Sequence, residues 1–138
     1  MFRTVRFINK NALEKFDAEL DELFADKFRA IKTRNWRGVA QVRERINKKV
    51  VWWNECVLKG DKEVDLHRMT ARGAIQFVQS KMEAMDFSGT LKIIIGRGKH
   101  SIGGVPKIKR LLQAYFKTRP RFRLEEEKGN PGCFFLYM

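Results

Sequence analysis

Residues 91–104, LKIIIGRGKHSIGG, lead from an apolar stretch straight into a glycine-rich, basic segment. The LKIII part predicts a buried strand, because β-branched apolar side chains favour extended structure. The remainder carries four glycines and His100, which is one of only two histidines in the chain. In open α/β sheets, ligands bind where a parallel strand hands over to its helix. This stretch therefore predicts an α/β fold and marks the place of its candidate site.

The segments on either side of this stretch continue the alternation of strands and helices. Before it, Val64 and Leu66 alternate with polar neighbours as in a short strand, and Thr70 is placed to cap the helix that follows. After it, Pro106 opens a second helix, and the tail predicts two strands joined by a tight turn within residues 128–132. The order predicts a two-layer βαβαββ domain with a mixed sheet, in which two parallel strands are joined by an antiparallel pair.

The first part of the chain has a helical pattern instead. Apolar residues recur at spacings of three and four over residues 13–31 and again over about residues 35–58, which predicts two amphipathic helices. Their connection near residues 33–35 predicts a helical hairpin. We therefore expect a helical extension over residues 1–60, followed by the α/β domain over residues 61–138.

The charge of the chain limits its partners. The 138 residues include 29 Lys and Arg against 16 Asp and Glu, a net charge of +13. Such an excess predicts a polyanionic partner, nucleic acid rather than an acidic membrane surface. Nine of the basic residues fall between Arg97 and Arg123 without a single Asp or Glu, whereas the first part of the chain reads as mixed in charge. This run predicts a phosphate-binding surface.

The cysteines and the apolar segments predict the compartment. Two cysteines that lie far apart, Cys56 and Cys133, are too few for a disulfide framework. No apolar run is long enough for a membrane span or for the core of a signal peptide. We expect a cytoplasmic protein with no membrane partner, and the nucleus and the mitochondrion stay open as alternatives.

Both histidines follow predicted strands, and the residues around them are the candidates for chemistry. If the first two strands are parallel neighbours, six side chains converge at one edge of the sheet: Asp65, His67, Arg97, Lys99, His100 and Ser101. Asp65 and His67 point to the same side of a strand, so the carboxylate can orient the imidazole or hold a divalent cation. His67 can then move a proton in phosphodiester cleavage. An aspartate that only caps the following loop is the alternative.

The glycine-rich loop has the composition of a phosphate-binding loop. Gly96 and Gly98 can adopt positive φ and let a phosphate approach the backbone amides, while Arg97 and Lys99 add full charges. The loop matches neither the P-loop nor the dinucleotide-binding pattern, which disfavours a nucleotide cofactor. The sequence requires no cofactor and contains no evident set of metal ligands. A divalent cation remains compatible with it, although a single carboxylate near the loops disfavours a two-metal site.

Three segments together resemble one family, the Smr (small MutS-related) domain. They are VDLHRMTARGAIQFV at 64–78, LKIIIGRGKHSIGGVPKIKRLLQAYF at 91–116 and GNPGCFFLYM at 129–138. The family carries an L-D-x-H motif at the end of its first strand and a G-x-G-x-H-S motif after its second. The resemblance covers about residues 61–138 with all segments in order. One departure is Arg68, which stands where the family usually has glycine.

The resemblance implies an endonuclease that binds and cleaves RNA and acts in messenger RNA surveillance on stalled ribosomes. It assigns cleavage to Asp65 and His67, and it assigns binding to the glycine motif: Gly96, Arg97, Gly98, Lys99, His100 and Ser101. To the binding surface we add four further basic residues: Arg68, Lys107, Lys109 and Arg110. A non-catalytic RNA-binding or ribosome-binding module and a DNA-nicking endonuclease are the alternatives.

Overall fold

The structure, a computed structural model, describes residues 10–59, 62–84, 89–96 and 107–137. The chain divides into two compact units, residues 1–59 and 60–138. The first contains helices α1 (Lys10–Lys32) and α2 (Trp36–Trp52) and then a π-helical segment (Trp53–Leu58). The second contains β1 (Glu63–Asp65), α3 (Ala71–Ala84), β2 (Thr90–Ile94), α4 (Lys107–Lys117), β3 (Arg123–Glu127) and β4 (Asn130–Tyr137). In the described ranges, no helix is long and apolar enough to cross a membrane.

The first unit is a helical hairpin with an apolar seam. The buried residues of the two helices are Phe16, Leu20, Leu23, Val39, Val42, Ile46 and Val50. Where α2 ends, the ring of Trp53 stacks on Phe16 with centroids 4.3 Å apart and planes inclined by 11°. Trp53 is 4% exposed, whereas its neighbour Trp52 is 49% exposed. Adjacent helical residues cannot share a face, so only one of the two tryptophans belongs to the core.

The hairpin turn lies where the sequence predicts it. Arg34 has a φ of +56°, and the backbone N–H of Asn35 donates to the carbonyl of Ala30 at 2.9 Å, which together end α1 in a left-handed cap. Asn35 then caps α2, since its Oδ1 accepts from the backbone N–H of Gly38 at 3.0 Å. A Cβ on Gly38 would lie 2.6 Å from Asn35 Nδ2. Glycine at that position therefore leaves room for the cap.

The second predicted helix is not α-helical to its end. The α-helix stops at Trp52, and the following segment has π-helical pairing, closed by a bond from the N–H of Lys59 to the carbonyl of Asn54 at 2.8 Å. Asn54 is only 5% exposed, and its side-chain amide donates to the carbonyl of Val50 at 2.9 Å. This contact takes up a helix carbonyl and satisfies a buried polar group. The predicted helical stretch thus extends to Leu58, with π-helical pairing over its last six residues.

The second unit contains a four-stranded mixed sheet in the order β1-β2-β4-β3. Strands β1 and β2 are parallel, with Glu63 opposite Lys92 and Asp65 opposite Ile94. Strand β4 pairs antiparallel with both β2 and β3. The predicted α/β class and mixed sheet are confirmed. The C-terminal strand lies in the interior of the sheet, between β2 and β3.

The core of the second unit is built from alternate strand residues and from one side of each helix. The strands bury Val64, Leu91, Ile93, Phe134 and Leu136. The helices contribute Ala74, Phe77, Val78, Met82, Ile108, Leu112 and Phe116. Alternation along a strand is typical of a sheet that buries one face more completely than the other. The ends of β1 and β2 are consequently fixed by a packed core beneath them.

Candidate functional site

Asp65 and His67 lie at the carboxyl end of β1. Asp65 is the last residue of the strand, and the next residue, Leu66, is fully buried. The backbone N–H of Leu66 donates to the carbonyl of Ile94 at 2.7 Å, which extends the pairing of β1 with β2 by one step. Because side chains alternate along an extended chain and Leu66 points into the core, Asp65 and His67 point away from it.

The two side chains are in direct contact, as their spacing predicts. His67 Nδ1 lies 2.5 Å from Asp65 Oδ1, and the same oxygen accepts from the backbone N–H of His67 at 3.2 Å. The side chain of His67 is 44% exposed and that of Asp65 is 20% exposed. An ionised carboxylate can only accept, so the imidazole proton is placed on Nδ1 and Nε2 is left as the acceptor of the neutral ring. This geometry suits a base that is oriented by a carboxylate.

Gly96 connects the second motif to the first. It follows β2 with a φ of +78°, and a Cβ on it would lie 3.3 Å from the Cβ of His67. The residue before it, Ile95, donates its backbone N–H to the carbonyl of Gly132 at 2.8 Å. Of the six side chains predicted to converge, the structure describes Asp65 and His67, which are in contact, and Gly96 adjoins His67. Arg97, Gly98, Lys99, His100 and Ser101 lie outside the described residues, and their assignment stays a prediction.

Gly132 also belongs to this site, and sequence reasoning missed it. A Cβ on Gly132 would lie 3.2 Å from the carbonyl carbon of Gly96, so the two backbones approach closely. The turn predicted within 128–132 is shorter than expected, because β4 already begins at Asn130 and Gly129 has the positive φ of +78°. The available signal was a second glycine three residues after Gly129. The sequence pattern assigns it to the predicted turn and not to the site.

Cys133 follows Gly132 and is buried, with 6% of its surface exposed. The side-chain amide of Asn130 lies 3.2 Å from its sulfur. Burial raises the pKa of the Cys133 thiol. This thiol is therefore a packing group of the strand and is protonated near neutral pH.

Arg68 adopts the backbone conformation that glycine favours. Its φ is +74°, in the left-handed region. Its Nη1 atom is buried, so part of the guanidinium lies inside the protein. Two residues on, Thr70 Oγ1 accepts from the backbone N–H of Gly73 at 3.1 Å and caps α3 as predicted. The chain thus retains the glycine-like backbone at this position while carrying a basic side chain.

The three predicted binding residues of α4 differ in their surroundings. Lys107 and Arg110 are exposed. Lys109 is 24% exposed, and its Nζ lies 3.0 Å from Glu126 Oε2 on β3. The predicted acid-free run did not include this acid, because β3 begins where the run ends. Lys109 is therefore partly neutralised within the fold.

Within the part of the chain that the structure describes, no group of three or more His, Cys, Asp or Glu side chains is placed to hold a metal ion. A groove of about 440 Å³ lies in the helical hairpin. It is lined by Glu19, Glu22, Leu23, Asp26, Arg45, Lys48, Lys49 and Trp52. Its acidic and basic side chains compensate each other, so the groove has no clear preference for a charged ligand.

No family model matches the chain. Over 76 residues the chain is 33% identical to Endonuclease NBR9 of Saccharomyces cerevisiae, which covers 54% of this chain and 31% of that protein. The chain thus spans about a third of the length of this curated relative.

Three solved structures are similar to the chain. The B3BP Smr domain is 25% identical with a TM-score of 0.48, and the match covers 83% of this chain and 96% of that one. The SMR domain of NEDD4-binding protein 2 is 28% identical with a TM-score of 0.44, covering 56% and 85%. A human small-MutS related domain is 30% identical with a TM-score of 0.42, covering 54% and 96%. All three are named as Smr domains, the family that the sequence motifs resemble.

Proposed function

We propose that residues 61–138 bind nucleic acid and cleave RNA phosphodiesters, with Asp65 and His67 as the catalytic pair. The observation that carries the proposal is the 2.5 Å contact between His67 Nδ1 and Asp65 Oδ1 at the end of β1, beside Gly96. The resemblance to Smr domains and the relative named as an endonuclease support it. The surveillance of messenger RNA on stalled ribosomes in the cytoplasm is the cellular role we propose.

In the proposed reaction, His67 acts as a general base. Its Nε2 takes a proton from an attacking hydroxyl or water, whose oxygen forms a new bond to phosphorus while the bond to the leaving oxygen breaks. Asp65 keeps the other ring nitrogen protonated and stabilises the imidazolium that forms. General-base catalysis by His67 and Asp65 does not itself require a cofactor. A divalent cation would neutralise charge on the phosphate and is compatible with the pair.

Binding is proposed to depend on phosphate contacts from the basic residues after β2. The exposed Lys107 and Arg110 supply charge on α4, and the residues 97–101 supply it from the loop. The positive φ of Gly96 turns the backbone at the point where that loop begins. Lys and Arg contacts to phosphate release counterions, so affinity should fall as salt rises.

A non-catalytic nucleic-acid-binding module is the second candidate, and Arg68 is the observation that favours it. Arg68 follows His67 in the chain, where the resembled family has glycine, and its Nη1 is buried. A side chain at this position removes the close approach to the backbone that glycine would allow a phosphate. A ribosome-binding role without chemistry would follow if this effect prevails.

The test is a cleavage assay with purified protein on labelled single-stranded RNA, hairpin RNA and plasmid DNA, with and without EDTA. We expect Asp65→Asn and His67→Ala each to lower the cleavage rate by about 10²-fold or more while RNA affinity stays within about twofold. Equal cleavage by wild type and both variants would refute the catalytic assignment. Nicking of plasmid in preference to RNA would instead establish the DNA-nicking alternative. Loss of cleavage in the presence of EDTA would show that the reaction needs a divalent cation.

A further inference from the structure

The tip of the helical hairpin, residues 27–37, exposes large apolar side chains. Phe28 and Trp36 are each 62% exposed and Ile31 is 36% exposed. The described residues include six exposed large hydrophobic side chains, and three of them fall within this tip. Isolated exposed apolar residues are ordinary on soluble proteins, whereas a local group of them marks an interaction site.

These side chains lie at one end of the hairpin. Phe28 precedes the last residue of α1, Lys32, by roughly 6 Å along the helix axis, at about 1.5 Å per residue. Trp36 is the first residue of α2. The buried residues of α1 end at Leu23, so the apolar side of the helix continues past the packed seam onto the tip. Burial against α2 therefore does not account for these three residues.

The same tip is strongly basic. Residues 27–37 hold five Lys or Arg and no Asp or Glu, whereas residues 14–26 hold six acids and one Lys. The first part of the chain contains both acidic and basic residues, but in this region the acids precede the tip and the bases lie in it. Asp26 just outside the tip pairs with Arg29. Lys27 Nζ lies 5.3 Å from the ring centroid of Phe28, which places a cation beside an exposed aromatic ring.

The turn itself carries an unusual basic residue. Arg34 has a φ of +56° at a helix end where glycine is the favoured residue. A left-handed conformation is costly for a residue with a side chain. A cation at the carboxyl end of a helix recovers part of that cost through the helix dipole.

We propose that the hairpin tip binds single-stranded nucleic acid. Trp36 and Phe28 would stack on unpaired bases, and the basic residues around them would contact the phosphates. An anionic membrane shares part of this chemistry, but an interfacial helix presents a continuous apolar face to lipid. Here the buried part of the apolar face of α1 ends at Leu23, and the tip exposes three large apolar side chains among five charges. The proposal extends the proposed function, since it takes nucleic acid as the ligand of the same chain.

The first experiment measures binding of the full chain to a labelled single-stranded RNA by fluorescence anisotropy. Trp36→Ala should weaken affinity by about tenfold, the effect of losing one stacked base, and Trp36→Phe should retain most of the affinity. Trp52→Ala is the matched control, since it removes a 49% exposed tryptophan from the far end of the same helix. Equal affinities for Trp36→Ala and Trp52→Ala would overturn the proposal.

A second pair of variants tests the charge without straining the fold. Arg34→Gly and Lys59→Gly each remove one cation from a left-handed position after a helix, at φ values of +56° and +52°. Glycine fits both conformations. We expect only Arg34→Gly to weaken RNA binding and to reduce the slope of log affinity against log salt by about 0.7. Equal slopes in the two variants count against a phosphate contact at the tip.

The binding assay separates this proposal from the catalytic one. Carried out in the Asp65→Asn background, it measures affinity when cleavage is abolished. Loss of binding on Trp36→Ala in that background supports the tip whether or not the parent chain cleaves RNA. Unchanged binding with active cleavage in the parent overturns the tip and leaves the nuclease. Absence of RNA binding together with association to anionic phospholipid vesicles would overturn the tip proposal in favour of a membrane surface.

Discussion

At the scale of single residues, His67 is constrained from two strands at once. Asp65, which ends β1, accepts hydrogen bonds from both the ring and the backbone of His67. Gly96, which follows β2, faces the Cβ of His67 with no side chain of its own. A proton-transfer group must be held in position by its neighbours to act efficiently. These contacts are short-range, so single substitutions should separate their effects.

Gly96→Ala is predicted to disturb both stability and the proposed chemistry. The new Cβ would stand 3.3 Å from His67 Cβ on a backbone with a φ of +78°. The left-handed conformation alone should cost about 1–2 kcal/mol of unfolding free energy. Gly129→Ala is the matched control, because Gly129 has the same φ and nothing within 4 Å. Urea unfolding should show similar losses in the two variants, while RNA cleavage falls only in Gly96→Ala.

At the scale of elements, the hairpin depends on the seam between its helices and on the way α2 ends. The stack of Trp53 on Phe16 closes this seam where the α-helix gives way to the π-helical segment. An ion pair between Lys49 Nζ and Glu19 Oε2 at 2.5 Å joins α2 to α1 in addition. The apolar contact is buried, whereas the ion pair is only part-buried and carries charge. Removal of a ring should therefore test the first, and a change of pH should test the second.

Trp53→Ala is predicted to cost about 3–5 kcal/mol of unfolding free energy, as expected for a buried aromatic replaced by alanine. The adjacent Trp52→Ala should change it by no more than about 0.5 kcal/mol, because Trp52 is 49% exposed. Helical circular dichroism during urea unfolding measures both. Comparable losses in the two variants would contradict the assignment of Trp53 to the core.

The contribution of the ion pair should depend on pH. The hydrogen bond from Lys49 lowers the pKa of Glu19. A carboxyl group with a lowered folded-state pKa stabilises the fold above its unfolded pKa and loses that stabilisation as pH falls through the folded one. Thermal unfolding should therefore lose more stability below about pH 4.3 in wild type than in Glu19→Gln. Glu44→Gln, which breaks an exposed pair within α2 with Lys48, serves as the control and should follow wild type.

At the scale of the whole molecule, charge is distributed unevenly. The chain carries +13, yet Lys109 is paired with Glu126 and the hairpin separates its acids from its bases. Positive charge is therefore concentrated in the basic stretches, and Lys109 adds little to it while it is paired with Glu126. Phosphate contacts depend on cations that are exposed and uncompensated.

Glu126→Gln is predicted to strengthen RNA binding. The substitution releases Lys109 from its ion pair, so the slope of log affinity against log salt should steepen by about 0.7 for single-stranded RNA. Glu125→Gln, on the same strand and paired with Arg123, is the comparison for general loss of negative charge. A larger gain from Glu125→Gln would show that Lys109 is not the contact released.

Sequence reasoning succeeded where local pattern determines structure and missed what depends on distant partners. The order of strands and helices and the contact of Asp65 with His67 follow from periodicity within a few residues. The insertion of β4 between β2 and β3, the pairing of Lys109 with Glu126 and the approach of Gly132 to Gly96 join residues far apart in sequence. Such contacts leave no local signature, because either partner reads as an ordinary strand, turn or surface residue.

The burial of Cys133 has a practical consequence for labelling. Its thiol is enclosed and its pKa is raised, while Cys56 in the π-helical segment is exposed. Alkylating reagents attack the accessible thiolate, so the folded chain should incorporate one maleimide at Cys56 and react at Cys133 only on local unfolding. The unmodified protein thus provides an attachment point for a fluorophore on the hairpin. The rate of the second, slow alkylation at Cys133 would measure how often β4 opens beside Gly132.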